Sequence, residues 1–360
     1  MNKSILLSIL TLILISSCGS FEDEKKSLLA GGEKKDLVNS FDITKEQASI
    51  YQVSDHTEPK KEEAAPTVAI KKMKTKGKDG NKVKSKIDQV ANISLEKVDG
   101  SGYPSEQPEL FKNYDIVSKP IWEKFKPLFY KNEQSIIAIS YLGVTAGYIT
   151  MTAKDIVNVG GKPAFHYFAR FKSKDAYRYF YWLDDTIETF IDKGSFLPIK
   201  YSLIQREKKQ NVDDLQLFDF KKLKTMTWYK RVKEGSNKDE HLEKPIPRYL
   251  QDSFSALQFV RGLPLKKGEL YDFPVSTRGE TWLLKSEVIG EEMITVNDRE
   301  VRAIRLTAET HFPGVLQKSG DINFCYAADE SKRLLKFQAK VKIGSILGEL
   351  VEFKPGVLVK

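Results

Sequence analysis

After Pro127 the chain becomes a succession of short segments whose side chains alternate in character, each closed by turn residues. Successive residues of a strand point to opposite faces, so this rhythm commits the region to β-structure more firmly than composition does. Lys162–Lys172 shows the pattern well: Ala164, His166, Phe168 and Arg170 fall on one face, Phe165, Tyr167, Ala169 and Phe171 on the other. Gly160-Gly161 before it is a hairpin signal. Further strands are expected at Ser135–Tyr141 and Val144–Val157, about a turn or bend at Gly143, with Thr150–Val159 as the arm that leads into the Gly160-Gly161 hairpin. Thr186–Asp192, Leu197–Lys208, Leu215–Phe220 and Lys224–Lys233 follow. The last section repeats the rhythm at Glu269–Thr277, Thr281–Glu291, Val301–Thr310, Ser319–Ala327, Leu334–Ile343 and Leu347–Phe353. One helix interrupts the strands. Asp252 or Ser253 can cap its start, Phe254, Leu257, Phe259, Val260 and Leu263 form its apolar stripe, and Gly262 with Pro264 ends it. A shorter amphipathic helix is expected over Lys119–Lys126, with Ile121, Trp122 and Phe125 on one side. The expected fold is mainly β: one strongly curved antiparallel sheet or partly open β-barrel with one packed helix. Two stacked sheets are the alternative.

The N-terminus carries an address. Lys3 precedes an apolar run from Ile5 to Ile15, too short to span a bilayer stably, and Ile15-Ser16-Ser17-Cys18 reads as a lipobox. Residues 1–17 are expected to be a signal peptide and Cys18 the acylated first residue of the mature chain. Gly19 and Ser20 lack the acidic residue that retains some lipoproteins in the inner membrane, which favours a lipid anchor in the outer membrane, facing the periplasm. With Cys18 acylated, Cys325 has no partner for an intramolecular disulfide and is expected to be a small buried hydrophobe.

Residues 18–105 alternate acidic and basic clusters and are poor in aromatic residues, so they are expected to be a disordered tether. As a coil the segment would have a reach of roughly 50 Å. A helix over Ile43–Tyr51 would be marginal alone. Lys71–Lys86 holds eight lysines and one acid. The run suits an anionic lipid surface, but a solvated, self-repelling linker is the favoured reading. It has neither arginine nor aromatic residues, so no nucleic acid partner is expected. Residues 106–360 form the expected single β-rich domain. With 41% hydrophobic and 30% charged residues, the chain can build a packed core.

Motifs for chemistry are sparse. His56, His166, His241 and His311 have no metal-ligand spacing with each other or with a cysteine, and His241 falls in an expected polar loop, Lys233–Lys244. Neither a nucleophile elbow nor a phosphate loop is present, so no metal and no cofactor is expected. Asp184, Asp185 and Glu188 are the best carboxylates, beside Tyr179-Phe180-Tyr181-Trp182. A glycosidase needs two carboxylates facing one sugar, whereas neighbours on a strand point apart, so ion pairing or turn capping is expected ahead of catalysis. Tyr179, Tyr181 and Trp182 combine apolar area with a polar handle that suits a sugar or a lipid headgroup. An alternating face in the core is the other reading.

Several segments carry a family likeness in order: Tyr141-Leu142-Gly143 with Ala146-Gly147, Trp182-Leu183-Asp184-Asp185 with Glu188, Leu197-Pro198, Gln251-Asp252-Ser253 with Ser255-Ala256-Leu257, Leu263-Pro264-Leu265 with Gly268, and Lys342-Ile343-Gly344-Ser345. Together, over about residues 128–354, they resemble the exported bacterial family called domain of unknown function 3108. The resemblance implies no activity and carries no catalytic residues. A curved sheet around a helix is also similar in architecture to the lipoprotein carriers LolA and LolB, which hold acyl chains between sheet and helix.

The expected function is that of a noncatalytic envelope lipoprotein whose β domain binds an amphiphilic lipid ligand or an envelope partner. The inner sheet face and the helix Ser253–Gly262 would form the binding elements, with Phe254, Leu257 and Val260 lining the contact. The alternatives are a peptidoglycan or glycan protein, using Tyr179, Tyr181 and Trp182, and a structural module of an envelope complex.

Overall fold

In the computed structural model, which describes residues 21–32, 35–56, 102–179, 181–310, 320–341 and 343–359, the alternating segments assemble into one seventeen-stranded sheet. Its strands are β1 (Val53–Asp55), β3 (Gln134–Tyr141), β4 (Val144–Ala153), β5 (Val157–Val159), β6 (Lys162–Ser173), β7 (Asp184–Asp192), β8 (Pro198–Arg206) and β9 (Gln210–Asp219). The series continues with β10 (Lys224–Lys233), β11 (Lys238–Pro245), β12 (Gln251–Asp252), β13 (Phe273–Thr277), β14 (Glu280–Val296), β15 (Arg299–Thr310), β16 (Gly320–Ala327), β17 (Leu334–Lys340) and β18 (Ser345–Lys354). A separate ribbon pairs β2 (Tyr130–Lys131) with β19 (Val357–Leu358).

Short turns make most sequence neighbours pair as antiparallel hairpins. The ladder runs β11–β10–β9–β8–β7–β6–β4–β3–β18–β17–β16–β15–β14–β13–β12, and only the β12–β13 pairing is parallel. β5 continues β4 along the edge of β6, so the expected strand Val144–Val157 is broken at 154–156. The return of β18 onto β3 curves the sheet, while the registered pairings stop at β11 and β12. Side chains bring the two ends together. Lys244 of β11 pairs with Glu280 of β14, and the Ser276 hydroxyl donates to Gln216 Oε1 at 3.0 Å. The sheet is thus strongly curved and not closed, the partly open barrel that the alternation implies.

Among the described residues four helices accompany it. Helix α1 (Phe21–Leu29) and helix α2 (Lys45–Ile50) lie outside the sheet, and α3 (Glu109–Lys124) and α4 (Ser255–Arg261) pack into its core. The helix expected at Lys119–Lys126 therefore starts ten residues earlier, after Pro108; Pro120 is inside it rather than in its first turn. Trp122 of α3 and Phe125, which follows the helix, pack on Phe259 of α4, with ring centroids 4.2 and 4.4 Å apart, and Phe196 and Phe273 complete this aromatic plug. The expected polar loop Lys233–Lys244 is mostly strand β11, whose His241 stacks on Trp228 at 4.5 Å. No described helix is long and apolar enough to cross a membrane.

The expected tether differs most. The larger part of what is described of it, residues 21–32 and 35–56, is packed against the outside of the barrel. Leu37, Val38 and Tyr51 are buried against Ile204, Leu215, Leu217, Met226 and Trp228, and β1 adds to β5. Helix α1 is pinned by Arg170, which donates to the Ser27 and Leu28 carbonyls at 2.9 and 2.8 Å, and by the Lys25–Glu352 ion pair. The physical reason is that the outer face of β8–β10 is apolar and needs a cover. The basic run Lys71–Lys86 lies outside the described residues.

Candidate functional site

Helix α4 is positioned from its first turn. Asp252 Oδ1 accepts from the Phe254 and Ser255 amides at 2.8 and 2.7 Å, while the Ser255 hydroxyl accepts from the Asp252 amide at 2.9 Å. Thr189 of β7 donates to Asp252 Oδ2 at 2.5 Å, which ties this cap to the sheet. At the other end a Cβ on Gly262 would lie 2.1 Å from the Phe125 ring and 2.6 Å from the Lys126 carbonyl oxygen, so the chain passes there only as glycine.

The two sides of α4 meet different surroundings. Phe259 enters the aromatic plug, and Phe254 packs edge-on to Tyr167 at 6.4 Å. Ala256, Leu257 and Val260 instead face a cavity of about 290 Å³. Across it stand inward residues of the sheet, among them Ile137, Ile149, Leu306, Phe324 and Phe337. Among the described residues that line it, Ser253 and Tyr326 alone carry a hydroxyl.

A small polar space of about 20 Å³ adjoins this cavity and shares Met151, Leu257, Tyr326 and Leu334 with it. Its far wall carries the buried ion pair of Arg261 and Glu133, bonded twice at 2.7 and 2.9 Å. Burial works against the Arg261 charge, but the bonds and charge of Glu133 outweigh it and raise the guanidinium further. Burial also pushes the Tyr326 phenol up, so it stays a neutral donor. Its hydroxyl has no hydrogen-bond partner among the described residues.

The residues singled out from sequence separate. Leu257 and Val260 line the cavity; Phe254 does not, because it is on the packed side of the helix. Tyr179 and Tyr181 are 83% and 53% exposed, and Trp182 is half-buried; none of the three is in the cavity wall. They follow a short helical turn, Asp175–Tyr177, so the described residues of 177–182 do not alternate as a strand. Asp184, Asp185 and Glu188 do not converge. Asp184 binds Arg170, Asp185 accepts from the Arg206 amide, and Glu188 bonds His166. Burial opposes the Glu188 charge, yet His166 and then Lys154 hold its carboxyl below the usual range. Cys325 is a buried free thiol, as expected, while Cys18 and His311 lie outside the described residues. No cluster able to hold a metal occurs among the described residues. The sequence points to the inner sheet face as part of the site but names none of the sheet residues that line the cavity. Their signal was the alternation of Ile322, Phe324 and Tyr326 on either side of the two residues between them.

None of the curated proteins matches the chain. Among solved structures it is similar to the crystal structure of a beta-barrel-like protein of domain of unknown function DUF1849 from Brucella abortus. That likeness has 12% identity and a TM-score of 0.43, and covers 63% of this chain and 98% of the other. A family model described as a protein of unknown function (DUF3108) matches residues 137–351, from β3 into β18 and around every residue of the cavity wall, and the chain belongs to that family.

Proposed function

We propose that this protein is a noncatalytic envelope lipoprotein whose β domain binds the apolar part of an amphiphile between α4 and the inner face of the sheet. The cavity of about 290 Å³ carries this reading. Binding sites for small molecules are concave and mostly apolar, with a few polar groups for orientation, and this wall has that make-up. An engineered apolar cavity of about 150 Å³ already holds benzene, and each Å² of apolar ligand surface buried stabilises the complex by about 25 cal/mol. The signal-like N-terminus and Cys18 support a lipid anchor. Phe21 follows Cys18 by three positions and packs on Tyr148 with ring centroids 5.4 Å apart. Three residues of chain span at most about 11 Å, so an acyl group on Cys18 would be attached close to the barrel wall instead of at the end of a long tether.

Native mass spectrometry of the full chain, extracted under mild conditions, is expected to find an amphiphile bound. Ala308, in the cavity wall, offers the matching variant. Ala308→Phe fills the space and is expected to remove the added mass while the protein stays folded by circular dichroism. A folded Ala308→Phe protein that keeps its ligand would overturn the assignment to this cavity.

A further inference from the structure

We propose that the apolar cavity and the small polar space beside it form one site for a fatty acyl ester, whose carbonyl oxygen accepts a hydrogen bond from the Tyr326 hydroxyl. The inference deepens the amphiphile reading and rests on it.

Three observations point to this ligand class. The first is adjacency. The spaces of about 290 and 20 Å³ share Met151, Leu257, Tyr326 and Leu334 in their walls, so a polar space lies directly beside the apolar one. The smaller one has room for about one water-sized group. The second is an unmatched donor. Tyr326 is 1% exposed and its hydroxyl has no partner among the described residues. A buried donor without an acceptor is unfavourable, and buried tyrosine hydroxyls usually find one.

The third observation concerns charge. Arg261 has five N–H donors, and all are taken. Two go to Glu133 at 2.7 and 2.9 Å, one to Gln258 Oε1 at 3.1 Å, and two to the Ser331 carbonyl at 2.8 and 3.2 Å. The pair is neutral as a whole and offers a ligand carboxylate no donor, while the Glu133 carboxylate repels one. A neutral acceptor therefore fits better than a fatty acid anion. An amide would bring an N–H needing its own acceptor, whereas an ester needs only the donor that Tyr326 supplies. The volume sets the chain length: about twice the space that takes benzene corresponds to about a dozen carbons.

The test compares four probes on the full chain by displacement of a bound fluorescent dye: methyl decanoate, monodecanoylglycerol, decanoate and decane. The esters are expected to bind tightest. Tyr326→Phe should weaken them about tenfold, the worth of one buried hydrogen bond, and leave decane unchanged. Binding of either ester supports the proposal, and the ratio of the two tells a glycerolipid source from a simple ester. Removing an unpartnered hydroxyl should also leave the ligand-free melting temperature equal or higher. A clear drop would mean that the hydroxyl has a protein acceptor, and would overturn the proposal. Ester binding unchanged in Tyr326→Phe, or decanoate binding tighter than the esters, would overturn it too, while leaving the cavity reading intact. If none of the four probes binds the unmodified protein, the cavity reading fails with it.

Discussion

Asp214 shows how one inward position on a strand becomes an electrostatic burden. It is 1% exposed on β9, and its Oδ1 has no partner among the described residues. Burial pushes its carboxyl up to about 7, with Arg278 pulling the other way. Asp185 is also raised to about 7, again first by burial and against hydrogen bonds from the Arg206 amide and Gln205. In an unfolded chain such a group ionises near 3.8. Between about pH 4 and 7 the folded protein thus keeps protons that the unfolded chain has released. By linkage, these groups make stability fall as pH rises through that window and level off above it. Asp214→Asn keeps the shape and removes one titration. Urea midpoints at pH 5 and pH 8 are expected to show the unmodified protein losing more stability than the variant, by an amount on the order of a few kcal/mol, at about 1.4 per pKa unit. Equal pH slopes would show that Asp214 does not titrate there.

At the scale of elements, β9 explains why the N-terminal segment folds. Its stretch Leu215-Gln216-Leu217-Phe218 is apolar on both faces, with Phe218 in the barrel core and Leu215 and Leu217 outside. The outer pair is covered by Leu37, Val38 and Tyr51; the Tyr51 hydroxyl donates to the Phe218 carbonyl at 3.2 Å. Lys200 Nζ donates to Asp36 Oδ1 at 2.8 Å, and the same oxygen accepts from the Val38 amide at 3.0 Å. A few large apolar residues among many charges were enough because they meet a preformed apolar surface. The low-hydrophobicity argument for disorder counts only what a segment can bury against itself. Leu37 is fully buried, so Leu37→Ala is expected to cost about 2–4 kcal/mol in chemical denaturation, followed by Trp228 fluorescence. No loss would mean that the segment contributes nothing to the fold.

For the whole molecule, layering sets the pattern of stability. β8 and β9 have the barrel core on one side and the Leu37–Tyr51 cover on the other, while β11 ends the ladder and alternates exposed with half-buried residues. Local opening costs least where few apolar contacts must break. Hydrogen exchange followed by mass spectrometry is therefore expected to find the slowest amides in β8 and β9 and the fastest strand amides in β11. Uniform exchange across the sheet would contradict this layering. The same open seam leaves the barrel held at its ends by side chains such as Lys244–Glu280 rather than by a continuous ladder.

Much of this was legible locally. Period-two alternation located nearly every long strand, with Lys224–Lys233 matching β10 end to end, because a strand with two different faces writes that difference into consecutive residues. The stop at Gly262 and the stripe of α4 are also legible, and with them Leu257 and Val260, since helix signals lie within one short window, whereas the N-cap is Phe254 and not Asp252 or Ser253. The polar alternation of β11 has the look of a loop in sequence, because an edge strand need not bury either face. Phe254 was assigned to the cavity because the stripe of α4 does not say which of its sides meets aromatic rings and which meets open space. By itself, then, the sequence determined a mainly β domain with a helix packed into it. Only the tertiary structure decided that residues 37–51 cover the sheet, that Glu133 meets Arg261, and that Tyr326 stands unpaired beside an apolar cavity. Those outcomes depend on which distant strands the curvature brings face to face, and alternation along a strand carries no information about its neighbours across the barrel.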